Sequence, residues 1–282
     1  MIFKNSLNLI NNSFLFLKKK THYLYLNSNI YNKKISSSNN FSIEYKPSPN
    51  ILDCLIKYDK KRINIKNYSL NEIWDNQLLK DKDHKNLNSF FWLFSLDLKS
   101  SKKDTQDVIL QWIEKNHRYN SRSWELDIVS KRIIAWLSNS KLTYEDGDSD
   151  YKDKFNNILK KQTNHLINEI EASEGIDDKM IVCSAIILTG IAYQNKDSYL
   201  EIGLNLLKKQ IKLSFTNDGF PKSRNIQQLN FYLKYFVLIR EWLKESQNEI
   251  PDYINENIYY LGQAYAFTWQ NNKKDFLFNG NQ

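Results

Sequence analysis

The sequence predicts an all-α protein, a double-layered (α/α) toroid of antiparallel helical hairpins behind a short irregular and extended lead-in. Three observations predict it. Only 7 Gly and 4 Pro occur in 282 residues, too little punctuation for the turns of a many-stranded sandwich or barrel. Apolar residues recur at helical spacing in a succession of segments joined by short links, and short links force antiparallel neighbours. Finally, a segment apolar nearly all round, 180–192, follows one with a wide Lys, Asn and Glu face, 151–170, as inner and outer helices of a layered ring would. With 41% hydrophobic and 14% aromatic residues, the chain has material for a large core.

Residues 1–80 read as the lead-in. Between 13 and 45, pieces of alternating character such as Tyr23-Leu24-Tyr25 and Phe41-Ser42-Ile43-Glu44-Tyr45 are separated by Asn and Ser clusters and read as short extended segments. From 46 on, Pro47 and Pro49 mark loop, while Ile63, Ile65 and Trp74 are expected to pack against the main body. Residues 81–282 form the toroid. Its helices are announced by Phe90-Phe91 with Phe94, by Val108-Ile109 with Trp112-Ile113, and by Ile128-Val129 with Ile133 and Trp136-Leu137. Further helices are expected over Phe155 to Ile170, Met180 to Ala192, Leu200 to Leu213 and Leu229 to Trp242. A last one carries Tyr259, Tyr260, Gly262 and Phe267, before a terminal Phe276-Leu277-Phe278.

The formal charge of +8 is interleaved along most of the chain, so the sign alone does not separate an acidic glycan, a phosphate backbone and an anionic membrane surface. Lys18-Lys19-Lys20 is a local cluster. Cys54 and Cys183 lie far apart, and His22, His84, His117 and His165 are scattered singly, so neither a disulfide framework nor a metal site is indicated. No cofactor is expected, because Gly-rich phosphate loops, a Gly-x-Ser-x-Gly elbow and paired Cys motifs are absent. Residues 1–20 are broken by Asn5, Asn8, Asn11 and Asn12 and lack a small-residue cleavage site, so no signal peptide is read. No membrane span is expected either, since even Ile181 to Ala192 is too short.

Three stretches carry a family likeness. Asn88-Ser-Phe-Phe-Trp-Leu with Val108-Ile-Leu-Gln-Trp-Ile-Glu-Lys-Asn, and Trp124-Glu-Leu-Asp-Ile-Val-Ser-Lys-Arg-Ile-Ile-Ala-Trp-Leu-Ser, resemble the opening helices of heparinase II/III-like proteins. Leu206-Leu-Lys-Lys-Gln-Ile followed by Asp218-Gly-Phe-Pro-Lys-Ser-Arg-Asn225 resembles that family's helix and the Asp-Gly turn after it, and Leu277-Phe-Asn-Gly280 resembles a stretch near the end of its helical region. The resemblance implies an incomplete double-layered helical toroid that meets a β-sandwich, with acidic polysaccharide bound between them and cleaved by β-elimination. Such chemistry needs the uronate carboxylate neutralised, a base for the C5 proton and an acid for the leaving oxygen. The sequence departs from the family at each point. Gly175-Ile-Asp-Asp-Lys179 stands where members carry Gly-Asn-His, and Arg224-Asn-Ile-Gln-Gln228 stands where a Ser-Pro-x-Tyr-His pattern is usual, with Tyr232 the nearest tyrosine. With Gln282 as the last residue, the sandwich and its His would have to come from another chain.

Each candidate has a functional and a structural reading. Trp124 and Arg132, with Asp127 and Trp136, can form a sugar-stacking and carboxylate-binding wall, or they can be core residues with Arg132 paired to Asp127 or a neighbouring helix. Arg224 and Asn225 precede a helix, where Arg224 can bind a carboxylate and Asn225 can hydrogen-bond to it or simply cap the helix. Tyr232 is the weak catalytic candidate, active only if deprotonated beside a cation such as Arg224, and otherwise a packed ring. The functional expectation is a helical domain that binds a uronate-containing polysaccharide, taking part in eliminative cleavage if a sandwich partner joins it. The alternative is a noncatalytic helical scaffold for glycan or protein. No nucleic-acid role is expected, since no binding motif appears. The compartment stays open between cytoplasm by default and periplasm by family role.

Overall fold

The computed structural model describes residues 2–36, 42–48, 74, 80–96, 101–173, 175–194, 198–216 and 218–268. Pro49, Cys54, Ile63, Ile65 and the terminal Phe276-Leu277-Phe278 lie outside them. The helices are α1 (Ile2–Leu26), α2 (Asn29–Ile35), α3 (Asp81–Ser89), a 3-10 turn (Phe91–Ser95), α4 (Lys102–Asn116), α5 (Leu126–Ser138), α6 (Ser140–Thr143), α7 (Ser149–Glu169), a second 3-10 turn (Ile170–Ala172), α8 (Ile176–Ala192), α9 (Tyr199–Ser214), α10 (Ile226–Glu245) and α11 (Asp252–Thr268). Among the described residues the chain is all-helical, with one isolated bridge between Phe215 and Pro221 as its β pairing.

Helix starts follow local chemistry. Ser101 caps α4 by accepting from the Asp104 amide at 3.2 Å, and Asp148 caps α7 by accepting from the Tyr151 amide at 2.8 Å, each satisfying an amide that lacks an intrahelical partner.

Helix α8 is the centre of the molecule. Every residue from Met180 to Ala192 is buried, and α5, α7, α9 and α10 all pack against it. The α8–α9 contact is the closest because two glycines allow it. A Cβ on Gly190 would sit 2.2 Å from the Leu200 amide nitrogen, and one on Gly203 would sit 2.7 Å from Ile187 Cγ1. Other contacts skip along the chain, with α3 packing on α5, α5 on α8, α8 on α10 and α4 on α7, whereas α11 packs on its chain neighbour α10. Beside α8 lies an aromatic core in which Trp136 meets Phe90 at 5.2 Å, Trp112 at 5.6 Å and Phe155 at 5.1 Å between ring centres. Trp74 stacks on Phe90 at 5.5 Å, the packing role its sequence suggested.

Two expectations are corrected. Residues 13–35 are not extended pieces but parts of α1 and α2. A three-residue alternation such as Tyr23-Leu24-Tyr25 fits a helix as well as a strand, and Ser28, read as a break, is the N-cap of α2, accepting from the Tyr31 amide at 3.1 Å. Among the described residues of that stretch, 42–48 has no regular secondary structure and is held where the amides of Glu44 and Tyr45 both donate to the Ala192 carbonyl, at 2.9 and 3.3 Å. The second correction concerns α7, whose polar composition suggested an outer helix. It is buried all round from Ile158 to Thr163, including Lys160, Lys161 and Gln162. Its polar residues bond inside the protein: Asn164 Nδ2 donates to the Ile35 carbonyl at 2.8 Å, and the Tyr31 hydroxyl lies 2.7 Å from His165 Nδ1.

Candidate functional site

The N-terminal ends of α5, α8 and α10 lie side by side. Gln228 Nε2, in the first turn of α10, donates to Asp177 Oδ1 of α8 at 2.6 Å. Asp178, also in the first turn of α8, has its carboxyl raised above the usual range by burial and then by the negative charge of Asp127, in the first turn of α5. Neighbouring helices that alternate along the chain therefore run parallel, and their amide-rich ends form one rim. The carboxylates complement the helix dipoles there. Around them Lys131 Nζ pairs with Asp127 at 3.1 Å and Lys85 Nζ with Glu125 at 2.5 Å. Carboxylates of Glu125, Asp127, Asp177 and Asp178 thus share this rim with Lys85, Lys131 and Lys179, and Arg224 stands just before the start of α10.

Behind it lies a narrow crevice between α8, α9 and α10, walled by Ile176, Met180, Leu207 and Phe236 and too tight for a water molecule. Gln210, Ser214 and Tyr232 also line it; Gln210 Nε2 is buried there without a hydrogen-bond partner, and the Tyr232 hydroxyl faces Ser214 and Asp177 without well-formed hydrogen-bond geometry to either. Tyr232 is 1% exposed. Burial first, and then the charge of Asp177, push its hydroxyl well above the ordinary tyrosine range. Arg224 does not reach it as a cation: the guanidinium is exposed and lies 5.7 Å from the Phe220 ring. A tyrosine so placed holds its proton, the packed-ring alternative of the two readings.

Asn225 takes the capping role. Its side-chain oxygen accepts from the amides of Gln227 at 2.8 Å and Gln228 at 3.4 Å. Arg224 is exposed beside this cap with φ +58°, in the left-handed region that suits glycine.

The proposed wall is interior. Arg132 is 0% exposed, and among the described residues it pairs with neither Asp127 nor any other carboxylate. Its Nη1 donates to the Asn88 carbonyl at 2.7 Å, Nη2 to the Ser123 carbonyl at 3.0 Å and Nε to Gln162 Oε1 at 3.2 Å, with the guanidinium 3.9 Å above the Trp112 ring. Trp124 is 1% exposed, its Nε1 donating to the Asn116 carbonyl at 3.1 Å and its ring 5.3 Å from that of His165. Neither can stack on or clamp a ligand from solvent. Trp124, Arg132 and Tyr232 thus have packing roles, while Arg224 alone of the five candidates presents its charge to solvent.

An open polar pocket of about 480 Å³ lies at the other ends of α8 and α10. Glu44, Tyr45, Gln194, Glu245 and Asn248 line it, and the Tyr45 hydroxyl donates to Glu245 Oε2 at 2.7 Å. Nothing in the sequence signals this pocket, because residues 44–45, 191–194 and 245–248 meet only through the packing of α8 and α10. Among the described residues no group of His, Cys, Asp and Glu could hold a metal ion, and no helix is long and apolar enough to cross a membrane. Comparison with protein-family models, with curated proteins and with solved structures returns no match.

Proposed function

We propose that this chain is a helical binding scaffold built like the toroid half of heparinase II/III-like proteins, which holds a glycan or protein ligand without breaking it. The observation that carries the reading is the fate of the side chains that the resemblance assigns to ligand and chemistry. β-Elimination needs a base that titrates near the working pH and a donor or cation on the uronate carboxylate. Tyr232 is shifted in the opposite sense and sits in a dry crevice, while Asp177 and Asp178 stand where the donor is needed. Arg132 spends its donors inside the fold.

The packing order supports a two-layered helical ring, with α3, α5, α8 and α10 in one row. Its ligand surfaces are the charged rim at the starts of α5, α8 and α10 and the polar pocket beside Glu44 and Glu245. A second reading, an acidic polysaccharide as the ligand, is favoured by Arg224, whose guanidinium is exposed beside the start of α10. Both are tested together on a panel of acidic and neutral polysaccharides, following ultraviolet absorbance of unsaturated uronate and, in parallel, calorimetric binding. The scaffold reading expects binding with no rise in absorbance, and a rise with the protein alone would overturn it. Binding confined to uronate polymers and lost in Arg224→Ala would identify the acidic glycan.

A further inference from the structure

Beyond that reading, we propose that the N-terminal helical arm, α1 with α2, docks the protein onto anionic lipid bilayers, lying in the headgroup layer rather than crossing it. Two independent observations meet there. The first is exposed apolar surface. Every described side chain from Ser13 to Leu24 is exposed, so Phe14, Leu15, Phe16 and Leu17 stand in water at 68, 53, 66 and 58%, with Leu24 at 60% and Ile30 at 73%. A run of this kind is unlike the singly scattered apolar residues of an ordinary surface. The second is charge. Six of the 40 basic residues and none of the 32 acidic ones fall in residues 1–43, so three-quarters of the excess of +8 is concentrated there. Lys18, Lys19, Lys20, Lys33 and Lys34 are all exposed.

Among the described side chains, those of residues 22–35 fix the arm to the body. Leu26 is buried, the Tyr25 ring meets that of Tyr31 at 5.2 Å, and His22 Nε2 lies 2.7 Å from Glu169 Oε2. At about 100° per residue, Phe16, Leu17, Tyr23 and Leu24 share about a third of the helix circumference, on the side away from His22 and Leu26. Lys20 falls among them, and a lysine stem is long enough to carry its charge out to headgroups while the apolar rings sink toward the acyl chains.

Other occupants fit less well. Nucleic acid would reward the lysines but not four consecutive exposed Phe and Leu side chains. A second helix would need an apolar seam alternating three and four residues apart. Phe3, Leu7, Ile10, Phe14, Leu17, Thr21 and Leu24 do recur in that way, but Lys18 and Lys20 flank this seam, so a second copy would set like charges against each other with no acidic residue in 1–43 to offset them. An anionic bilayer satisfies both features, each lysine drawing the arm to the surface and the apolar side holding it there.

The test is co-sedimentation of the full chain with phosphatidylcholine vesicles, with and without phosphatidylserine, at low and physiological salt. Expected is binding that requires phosphatidylserine, weakens with salt, and falls by about tenfold or more both in Lys18→Glu/Lys19→Glu/Lys20→Glu and in Phe16→Ser/Leu17→Ser. These side chains are exposed, so circular dichroism and the thermal midpoint should be unchanged. The proposal is overturned by failure to bind phosphatidylserine vesicles, by equal binding to pure phosphatidylcholine, or by variants that bind as well as the parent. It is equally overturned if the arm variants abolish a dimer in lipid-free solution, which would make a second copy the occupant.

Discussion

Replacing Arg132 separates an interior staple from a ligand-binding wall. In Arg132→Ala three acceptors, the carbonyls of Asn88 and Ser123 and the Gln162 side-chain oxygen, lose their donors in a buried site. An unmet buried partner costs about 1 kcal/mol or more. Truncation also leaves a void over Trp112, where large-to-small core changes typically cost about 2–5 kcal/mol. Removing a charge from a site without a carboxylate offsets part of this, so a net loss of about 3–5 kcal/mol is expected. Arg132→Met fills the volume and forfeits only the hydrogen bonds, for about 2 kcal/mol. Urea unfolding followed by tryptophan fluorescence reads both, with the alanine midpoint falling by roughly 1–2 M and the methionine midpoint by less. Neither surviving protein should bind polysaccharide differently from the parent. An unchanged alanine midpoint, or a methionine variant that is as stable as the parent but has lost uronate binding, would refute the reasoning and restore Arg132 as a wall residue.

Four further outcomes follow from the same geometry. His165 is held neutral: Nε2 donates to the Trp124 carbonyl and Nδ1 accepts from the Tyr31 hydroxyl, and burial lowers its pKa from 6.5 to about 4. The unfolded chain takes up this proton first as pH falls, so the stabilisation is complete above about pH 6.5 and is lost toward about pH 4, by about 3 kcal/mol. Urea midpoints for the parent and His165→Gln should therefore converge across that window, and a constant gap would count against it. Gly190→Ala should cost about 3 kcal/mol, since the new Cβ meets Leu200 backbone, which yields only if α9 moves; an unchanged thermal midpoint would contradict the close approach. Asn225→Ala should lose about 1 kcal/mol through the vacated cap, with Asn225→Asp near neutral, by the same denaturation measurement. Tyr232→Phe should change stability by no more than about 1 kcal/mol, because the hydroxyl it removes has no well-formed hydrogen bond to Ser214 or Asp177; a marked loss of stability would mean that it is firmly bonded to one of them.

The helical body was legible because its periodicity is long and strong: Met180 to Ala192 reads as an inner helix from composition alone, and α8 is the most enclosed helix here. The capping role of Asn225 was also within reach, from its place before an apolar run. Arg132 and Trp124 were ambiguous because helical spacing says which residues share a side but not what covers that side. The cover comes from Asn88, Ser123 and Gln162, which lie on other elements. The burial of α7 was hidden for a related reason. Its Asn164 and His165 find partners 129 and 134 residues away, in a segment whose Asn and Ser content argued against any helix.

The enclosure of α8 also bears on how the chain can be cut. Its thirteen consecutive buried residues are covered from both directions along the sequence, by α5 before it and by α9 and α10 after it. A fragment ending before Ile226 lacks α10, and one beginning after Ser138 lacks α5, so each leaves an apolar stripe of α8 uncovered. Such fragments should aggregate on expression, and protease nicks in the 139–148 or 215–225 connections should yield pieces that remain together until denatured. The same logic applies on the ribosome: α8 and α9 can pair early as neighbours, but α8 stays partly uncovered until Glu245 has emerged, a window in which a chaperone would find it.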